Sequence, residues 1–420
     1  MDLTGFRYRL YPGPEDAEAL RRWAGCGRAI YNAGLEQRRT AWRMNWASLS
    51  YADQGGVQLT EAKRAMPWLG EPHADVLQQA LRDLDRAFAR FFAGISSYPK
   101  PRRKGRHDRF RIQSRPSNGE IRVRRLSRKW GEVRIPKLGW VRFRWSRDPR
   151  GVIRHVTVAR DALGWHVSIC CRSETRQRPK HLGPALGLDL GVRATAALST
   201  GKLFHCPGLP PGQAQRLRRL TQRAGRQDMA RRKRPAGSQD RTRRHQRTLD
   251  QIARLRAREA RIRRDFLHKL STDIAKSHGI VVVEDLSVPS MTSSARGTIE
   301  RPGIRVKAKA GLNRAILAQG WGQLRRQLAY KTERKGGQLI KVPSRYTSQQ
   351  CAACGDRNAQ SRRTQARFAC SACGHQADAD INAAQNILAA GLAVTARGDL
   401  GVNPVLEART NRQGVARAAA

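Results

Sequence analysis

Acidic side chains are scarce: 33 Asp plus Glu face 82 Lys plus Arg in 420 residues, leaving a formal net charge of +49 and a pI near 11.6. A chain so unbalanced repels itself and is neutralised best by a polyanion. Nucleic acid is the usual one, because releasing its condensed counterions drives binding. No apolar run is long enough to span a bilayer, no hydrophobic secretory leader follows Met1, and no lipidation motif is present, so a membrane partner is not expected. Internal repeats are absent as well. Outside one C-terminal region cysteine is sparse: Cys26, Cys170, Cys171 and Cys206 lie scattered without pairing logic, which argues against a disulfide framework and for a reducing cytoplasm. Charge alone would also suit a ribosomal or histone-like protein, so it selects a partner class and no chemistry.

What is present begins with a hydrophobic fraction of 39%, enough for real cores, in a length that suits two to four domains. After a short basic strand at Phe6 to Leu10, apolar residues recur at helical steps in Leu20, Trp23, Gly27 and Ile30, and again in Leu77, Leu81, Leu84, Phe88 and Phe91. These are packing faces of a helical lobe. A Pro, Lys and Arg stretch from Tyr98 to Arg106 marks a boundary. Beyond it the period changes to two: Ile121 and Val123, Val133 and Ile135, Val141, Phe143 and Trp145, Val156 and Val158, Trp165, Val167 and Ile169. A small antiparallel barrel satisfies that pattern. Its outward Arg122, Arg124, Arg134, Arg142 and Arg144 would form a phosphate-binding face or, more plainly, a solvated one. From Gln215 to Asp265 an arginine-saturated helical hairpin is expected, broken near Pro235-Ala236-Gly237. Its second arm carries a seam of Leu249, Ile252, Leu255, Ile262, Phe266 and Leu270, interrupted by Glu259. The segment 393–420 carries little core-forming pattern and is expected to be a disordered tail.

Two CxxC knuckles, Cys351 with Cys354 and Cys370 with Cys373, each followed by glycine, fit the spacing of a four-cysteine zinc ribbon. Four thiolates close a tetrahedron and leave no position for substrate, so the zinc is structural, and His375 is read as a polar neighbour. Three acids stand out elsewhere. Asp189 sits in the strand-like Gly187-Leu188-Asp189-Leu190-Gly191-Val192, Glu284 ends the apolar run Ile280 to Val283, and Asp380 opens a helix carrying Asn382, Ala383, Ala384 and Asn386. Each alone could be a salt-bridge partner in so basic a chain. Together they suit two-metal cleavage of a phosphodiester, in which hard carboxylate oxygens hold Mg2+ or Mn2+ beside an anionic substrate. Asp378 competes with Asp380 for that role. Asp285 competes less well with Glu284, because neighbouring side chains on a strand point to opposite faces.

Those motifs, with Thr347-Ser348-Gln349-Gln350 ahead of Cys351, resemble the RuvC-type nuclease and zinc ribbon of TnpB proteins, the OrfB-like products of bacterial insertion sequences. Tyr8-Arg9-Leu10-Tyr11-Pro12, Tyr31-Asn32, Arg264-Asp265 with His268-Lys269, and Leu312-Asn313-Arg314 followed by Trp321 add to the likeness, which covers about residues 5 to 392. The resemblance implies an α/β RNase H-like RuvC core over 181–345 and 376–392, with an inserted four-cysteine zinc ribbon at 346–375. It further implies a β-barrel wedge domain from 1–12 and 98–180, and an inserted helical recognition domain at 13–97. Asp189, Glu284 and Asp380 would be the catalytic magnesium ligands. The implied partners are a guide RNA from the transposon end and double-stranded target DNA, cut on both strands next to a short target-adjacent motif. A cytoplasmic, nucleoid-associated protein is expected, acting as a monomer, with a dimer left open by the sequence. A compact type V CRISPR effector would use the same core with a CRISPR RNA. A guide-directed DNA binder without cleavage is disfavoured by the intact acids, and a basic zinc-ribbon RNA binder without enzyme activity would leave those acids to coincidence.

Overall fold

The computed structural model of the chain describes residues 2–115, 121–174, 178–235, 238 and 240–396, and the chain groups into two units, 1–176 with 223–257 and 177–222 with 258–420. Among the described residues no helix is long and apolar enough to cross a membrane.

In the first unit, β1 (Asp2–Tyr11) buries Phe6, Tyr8 and Leu10 at every second position. Four helices follow: α1 (Pro14–Asn45), α2 (Tyr51–Gly55), α3 (Val57–Ala65) and α4 (Ala74–Phe92). Then come β2 (Arg109–Gln113), β3 (Val123–Arg125), β4 (Trp130–Ile135), β5 (Gly139–Arg144), β6 (Val152–Asp161) and β7 (Gly164–Ser173). With β1 they make a seven-stranded sheet in the order β2-β6-β7-β1-β5-β4-β3, every pairing antiparallel. The apolar alternation read from the sequence is the buried face of that sheet, but the expected barrel is not closed. Among the described residues β2 and β3 remain its two edges. Period two fixes which face is buried and says nothing about whether edge strands meet. Strand β2 is an addition to the expected strands, following directly on the boundary stretch. Its Phe110 and Ile112 are buried, and the Asp75 carboxylate accepts from the Gln113 amide at 2.8 Å.

On the outer face, Glu132 takes Arg124 at 2.7 Å and Arg142 at 3.5 Å, and the Arg124 and Arg144 guanidiniums lie over the Trp140 and Trp130 rings. Part of the basic face is thus committed to the sheet's own packing. Helices α1 and α4 cross closely at Gly34, where a Cβ would stand 2.9 Å from Leu81 Cδ2.

The second unit is built on a five-stranded sheet. Its strands are β8 (Ala185–Asp189), β9 (Ala196–Leu198), β10 (Leu203–Phe204), β11 (Ile280–Glu284) and β12 (Gln338–Val342), ordered β10-β9-β8-β11-β12. β8, β11 and β12 run parallel, and β9 and β10 are antiparallel additions. Between β10 and β11 come α5 (Pro211–Arg232) and α6 (Arg243–Ser277), the two arms of the expected hairpin. The unit boundaries fall within them, and Ala236 and Gly237 of the expected break lie outside the described residues. After Glu259 the α6 seam keeps the expected Leu270 and adds Leu267 and Ile274 as buried residues, while Phe266 is only partly buried against the same cluster. The helices α7 (Val288–Met291), α8 (Val306–Gln319) and α9 (Trp321–Glu333) lead to β12. A hairpin of β13 (Arg367–Ala369) and β14 (Gln376–Asp378) then precedes α10 (Ala379–Ala396). The expected tail is therefore shorter at its start, since α10 runs through 393–396; residues 397–420 lie outside those described.

Helices cover both faces of this sheet. Leu186, Leu188, Val281 and Val283 pack with Leu267, Leu270 and Ile274 of α6 and Leu324 and Leu328 of α9, whereas Val282, Ile340 and Val342 pack with Ile387 of α10. Helix α10 comes very close. A Cβ at Gly187 would stand 2.1 Å from the Ala384 carbonyl oxygen, and one at Gly391 would stand 2.3 Å from Val282 Cγ2.

Candidate active site and metal centre

Strand alternation decides where the two strand-borne acids go. Asp189 shares its face of β8 with Gly187, and Glu284 shares its face of β11 with Val282, so both project to the side covered by α10. They end adjacent parallel strands, Leu188 being paired with Val283, at the carboxyl edge where open α/β sheets hold ligands. Asp380 is the second residue of α10 and 5% exposed, and a Cβ on Gly191, just beyond β8, would lie 3.8 Å from its Oδ2. The three acids that are far apart in sequence are thus brought to one place.

Their electrostatics follow from that crowding. Burial, reinforced by the Glu284 and Asp380 carboxylates, raises the Asp189 carboxyl to about 7. Burial also raises Glu284, against which the Thr347 hydroxyl donates to Glu284 Oε1 at 2.6 Å. Asp380 Oδ2 accepts from Arg193 Nε at 3.2 Å, and its Oδ1 lies 3.7 Å from Arg362. The three carboxylates do not close to within 4.8 Å of one another, as the thiols described below do. Buried, mutually repelling oxygen donors are of the chemistry that suits a hard divalent cation, which Asp189, Glu284 and Asp380 would hold.

The competing acids separate cleanly. Asp378 caps α10, its Oδ1 accepting from the Asp380 amide at 3.0 Å and the Ile381 amide at 3.4 Å, while its Oδ2 pairs with Arg193. Asp285 is exposed and pairs with Arg325 at 3.2 Å.

Cys351, Cys354, Cys370 and Cys373 bring their sulfurs within 4.8 Å of one another, with Cys351–Cys373 at 3.8 Å and Cys354–Cys370 at 3.6 Å. A zinc tetrahedron with Zn–S near 2.3 Å has edges of about 3.8 Å, so the thiols fit that ion. All are free of disulfides. Each knuckle turns on a left-handed glycine, Gly355 (φ 78°) or Gly374 (φ 74°), whose amide donates to the carbonyl of the first cysteine at 3.0 and 3.1 Å.

Two asparagines of the α10 motif, to which the sequence assigns no role, join ribbon to cluster. Asn382 Nδ2 donates to the Gln350 carbonyl at 2.7 Å, and its Oδ1 accepts from the Ala352 amide at 2.9 Å. Asn386 Nδ2 donates to Thr347 and Gln350 carbonyls at 2.9 and 2.7 Å. Arg193 and Arg362 had no sequence signal, being two among many arginines.

The mixed α/β fold is also that of the protein chain in "Cryo-EM structure of the Cas12f1-sgRNA-target DNA complex". The two share a TM-score of 0.51 and 16% identity over 89% of this chain and 83% of that one. The chain belongs to the OrfB (TnpB) family of insertion-sequence proteins. It is 38% identical over 400 residues to "Putative RNA-guided DNA endonuclease InsQ" of Escherichia coli (strain K12), covering 95% of this chain and 94% of that protein. A Streptomyces pristinaespiralis protein described as a "Putative RNA-guided DNA endonuclease" is 34% identical over 98% of this chain and 94% of its own length. Family descriptions match in three places: "Probable transposase" (OrfB of IS605) at 168–295, "Cas12f1-like, TNB domain" at 321–387, and the OrfB "Helix-turn-helix domain" at 1–45. In this structure residues 2–45 hold β1 and one long helix, α1.

Proposed function

We propose that the chain is a transposon-associated, RNA-guided DNA endonuclease that cleaves double-stranded DNA next to a short target-adjacent motif. Asp189, Glu284 and Asp380 would hold its divalent cations. The observation that carries this reading is the convergence of these three acids beneath α10, in a chain otherwise saturated with cations. Bound there, magnesium or manganese supplies an activated water and stabilises the leaving oxygen. The chain's own residues hold the carboxylates in place: Thr347 fixes Glu284, and Arg193 and Arg362 offset the charge of Asp380.

In this reading 181–345 and 376–392 are a RuvC-like nuclease domain and 346–375 a zinc-bearing target-binding ribbon. Residues 1–12 and 98–180 act as the wedge, and 13–97 as the recognition domain. The protein works as a monomer in the bacterial cytoplasm, where base pairing with a guide RNA reads the target and the protein reads duplex shape and the adjacent motif. The fold shared with Cas12f1 keeps a CRISPR effector as a second reading, and RNA that copurifies with the chain separates the two by its locus of origin.

The test is substitution. Asp189→Ala, Glu284→Ala and Asp380→Ala should each reduce magnesium-dependent cleavage of target DNA by at least about a thousandfold, on the order expected for losing a catalytic metal ligand, while guide and target binding change little. Cleavage that survives in all three variants sinks the assignment.

A further inference from the structure

The end of the helical lobe carries an aromatic cluster that neither the carboxylates nor the ribbon use. In a chain with only 6% aromatic residues, Trp42, Trp46, Phe88, Phe91, Phe92 and Tyr98 gather there. Trp42 and Trp46, at the C-terminal end of α1, stand edge to face at 5.3 Å. Phe91 contacts Phe92 at 5.3 Å and Tyr98 at 5.3 Å, and Tyr98 meets Phe88 at 5.5 Å. Trp42 and the second group wall a cavity of about 410 Å³, which also borders Arg38, Arg39 and Arg43. Arg38 is committed inward, to Gln54, Asp85 and the Phe88 ring. Arg39 and Arg43 are exposed, and both pair with the exposed Glu36, at 3.1 and 3.5 Å.

Several rings here are open to water: Trp42 is 52% exposed and Phe92 75%. A contiguous apolar surface of this kind marks an interaction site. The size, the flat π walls and the guanidinium rim favour one occupant. A cavity of about 410 Å³ has room for a nucleobase, aromatic faces accept any base by stacking, and the arginines suit the flanking phosphates. A second copy of the chain would set Arg39 and Arg43 against their own copies on a molecule whose net charge is already +49.

We propose that this cleft captures an unpaired nucleobase of a single-stranded nucleic acid, with the base stacked among Trp42, Phe92 and Tyr98 and its neighbouring phosphates at Arg39 and Arg43. A base inside a duplex is already stacked and cannot enter, so the cleft distinguishes single strands from helices. The inference rests on the nucleic-acid partnership proposed above, but not on cleavage.

The test uses full-length protein stripped of copurifying RNA, without divalent cations, and two probes of one sequence: a single-stranded RNA and the RNA–DNA heteroduplex. Trp42→Ala and Tyr98→Ala should each weaken single-strand binding by about 5- to 100-fold while leaving heteroduplex binding within about twofold, and Trp42→Phe should retain most of the affinity. The salt dependence of binding should be unchanged in Trp42→Ala and shallower by about one ion in Arg43→Ala. Equal losses on both probes, or none on the single strand, overturn the inference. So does a Trp42→Ala variant that turns a dimer into a monomer at unchanged nucleic-acid affinity. Wild-type protein that binds neither probe refutes the nucleic-acid reading itself, whereas binding to the heteroduplex alone refutes only the cleft.

Discussion

Asp189, Glu284 and Asp380 differ in what holds them, and each difference has a local cause. Glu284 is fixed by one hydroxyl, Asp380 is bracketed by two guanidiniums, and Asp189 is held by burial and like charge, which raise its carboxyl to about 7. Away from the site, burial followed by the nearby Arg111, Arg154 and Arg86 lowers His155 on β6 to about 4. Since the unfolded imidazole protonates near 6.5, the unfolded chain takes up the proton first on acidification. Stability is therefore full above that value and declines as the pH falls toward 4, by on the order of 1 kcal/mol after discounting for a partly exposed ring. Denaturation midpoints measured across this window should fall less steeply for His155→Gln than for the natural chain.

Helix α10 connects the sheet, the ribbon and the cluster, and its seat is set by small residues. Gly187→Ala would drive a methyl into the Ala384 carbonyl, where backbone and not a flexible side chain must yield. The expected cost is about 1–3 kcal/mol or more, read by chemical denaturation, and cleavage should fall with it because moving α10 also moves Asp380. The ribbon enters through the same helix, Asn382 and Asn386 holding its leading segment by the Gln350 and Thr347 carbonyls. Removing zinc with a chelator, or replacing Cys370 by Ser, should erase amide-exchange protection across 351–378, because metal binding free energy is folding free energy for so small a unit. Protection at the Thr347 end should fall as well, and with it the grip on Glu284.

Across the whole molecule, charge is the dominant property. With a net +49 and cationic residues in both units, association with RNA or DNA should weaken by roughly three to five orders of magnitude between low and physiological salt, the range for six to ten phosphate contacts. Filter binding across a salt series measures this, and a flat response would contradict a phosphate-dominated interface. At this scale the sequence was readable in part. Periods of two and of three to four located α1, α4 and most strands of the first unit, because burial imposes those repeats directly, but not β2, α2 or α3. Closure of the strands into a barrel was not legible: whether β2 meets β3 depends on twist and edge pairing, which leave no mark on alternation. The burial of Leu267 ahead of Phe266 was hidden for a related reason, since the cluster it joins is completed by other elements, β8, β11 and α9.

By itself the sequence determined the ribbon, because ligand type and spacing are local chemistry, and the strong cationic charge that suits a polyanion, because net charge needs no fold. It also marked the three acids, through the strand and helix motifs around them. Only the tertiary structure decided that they meet, that Asp378 is a cap and Asp285 a surface ion pair, and that Arg193 and Arg362 stand over Asp380. Those outcomes depend on which face each strand turns toward α10 and how close a glycine lets that helix come. The meeting of the three acids and the reach of Arg193 to Asp380 join segments separated by about a hundred residues or more, which no local pattern encodes.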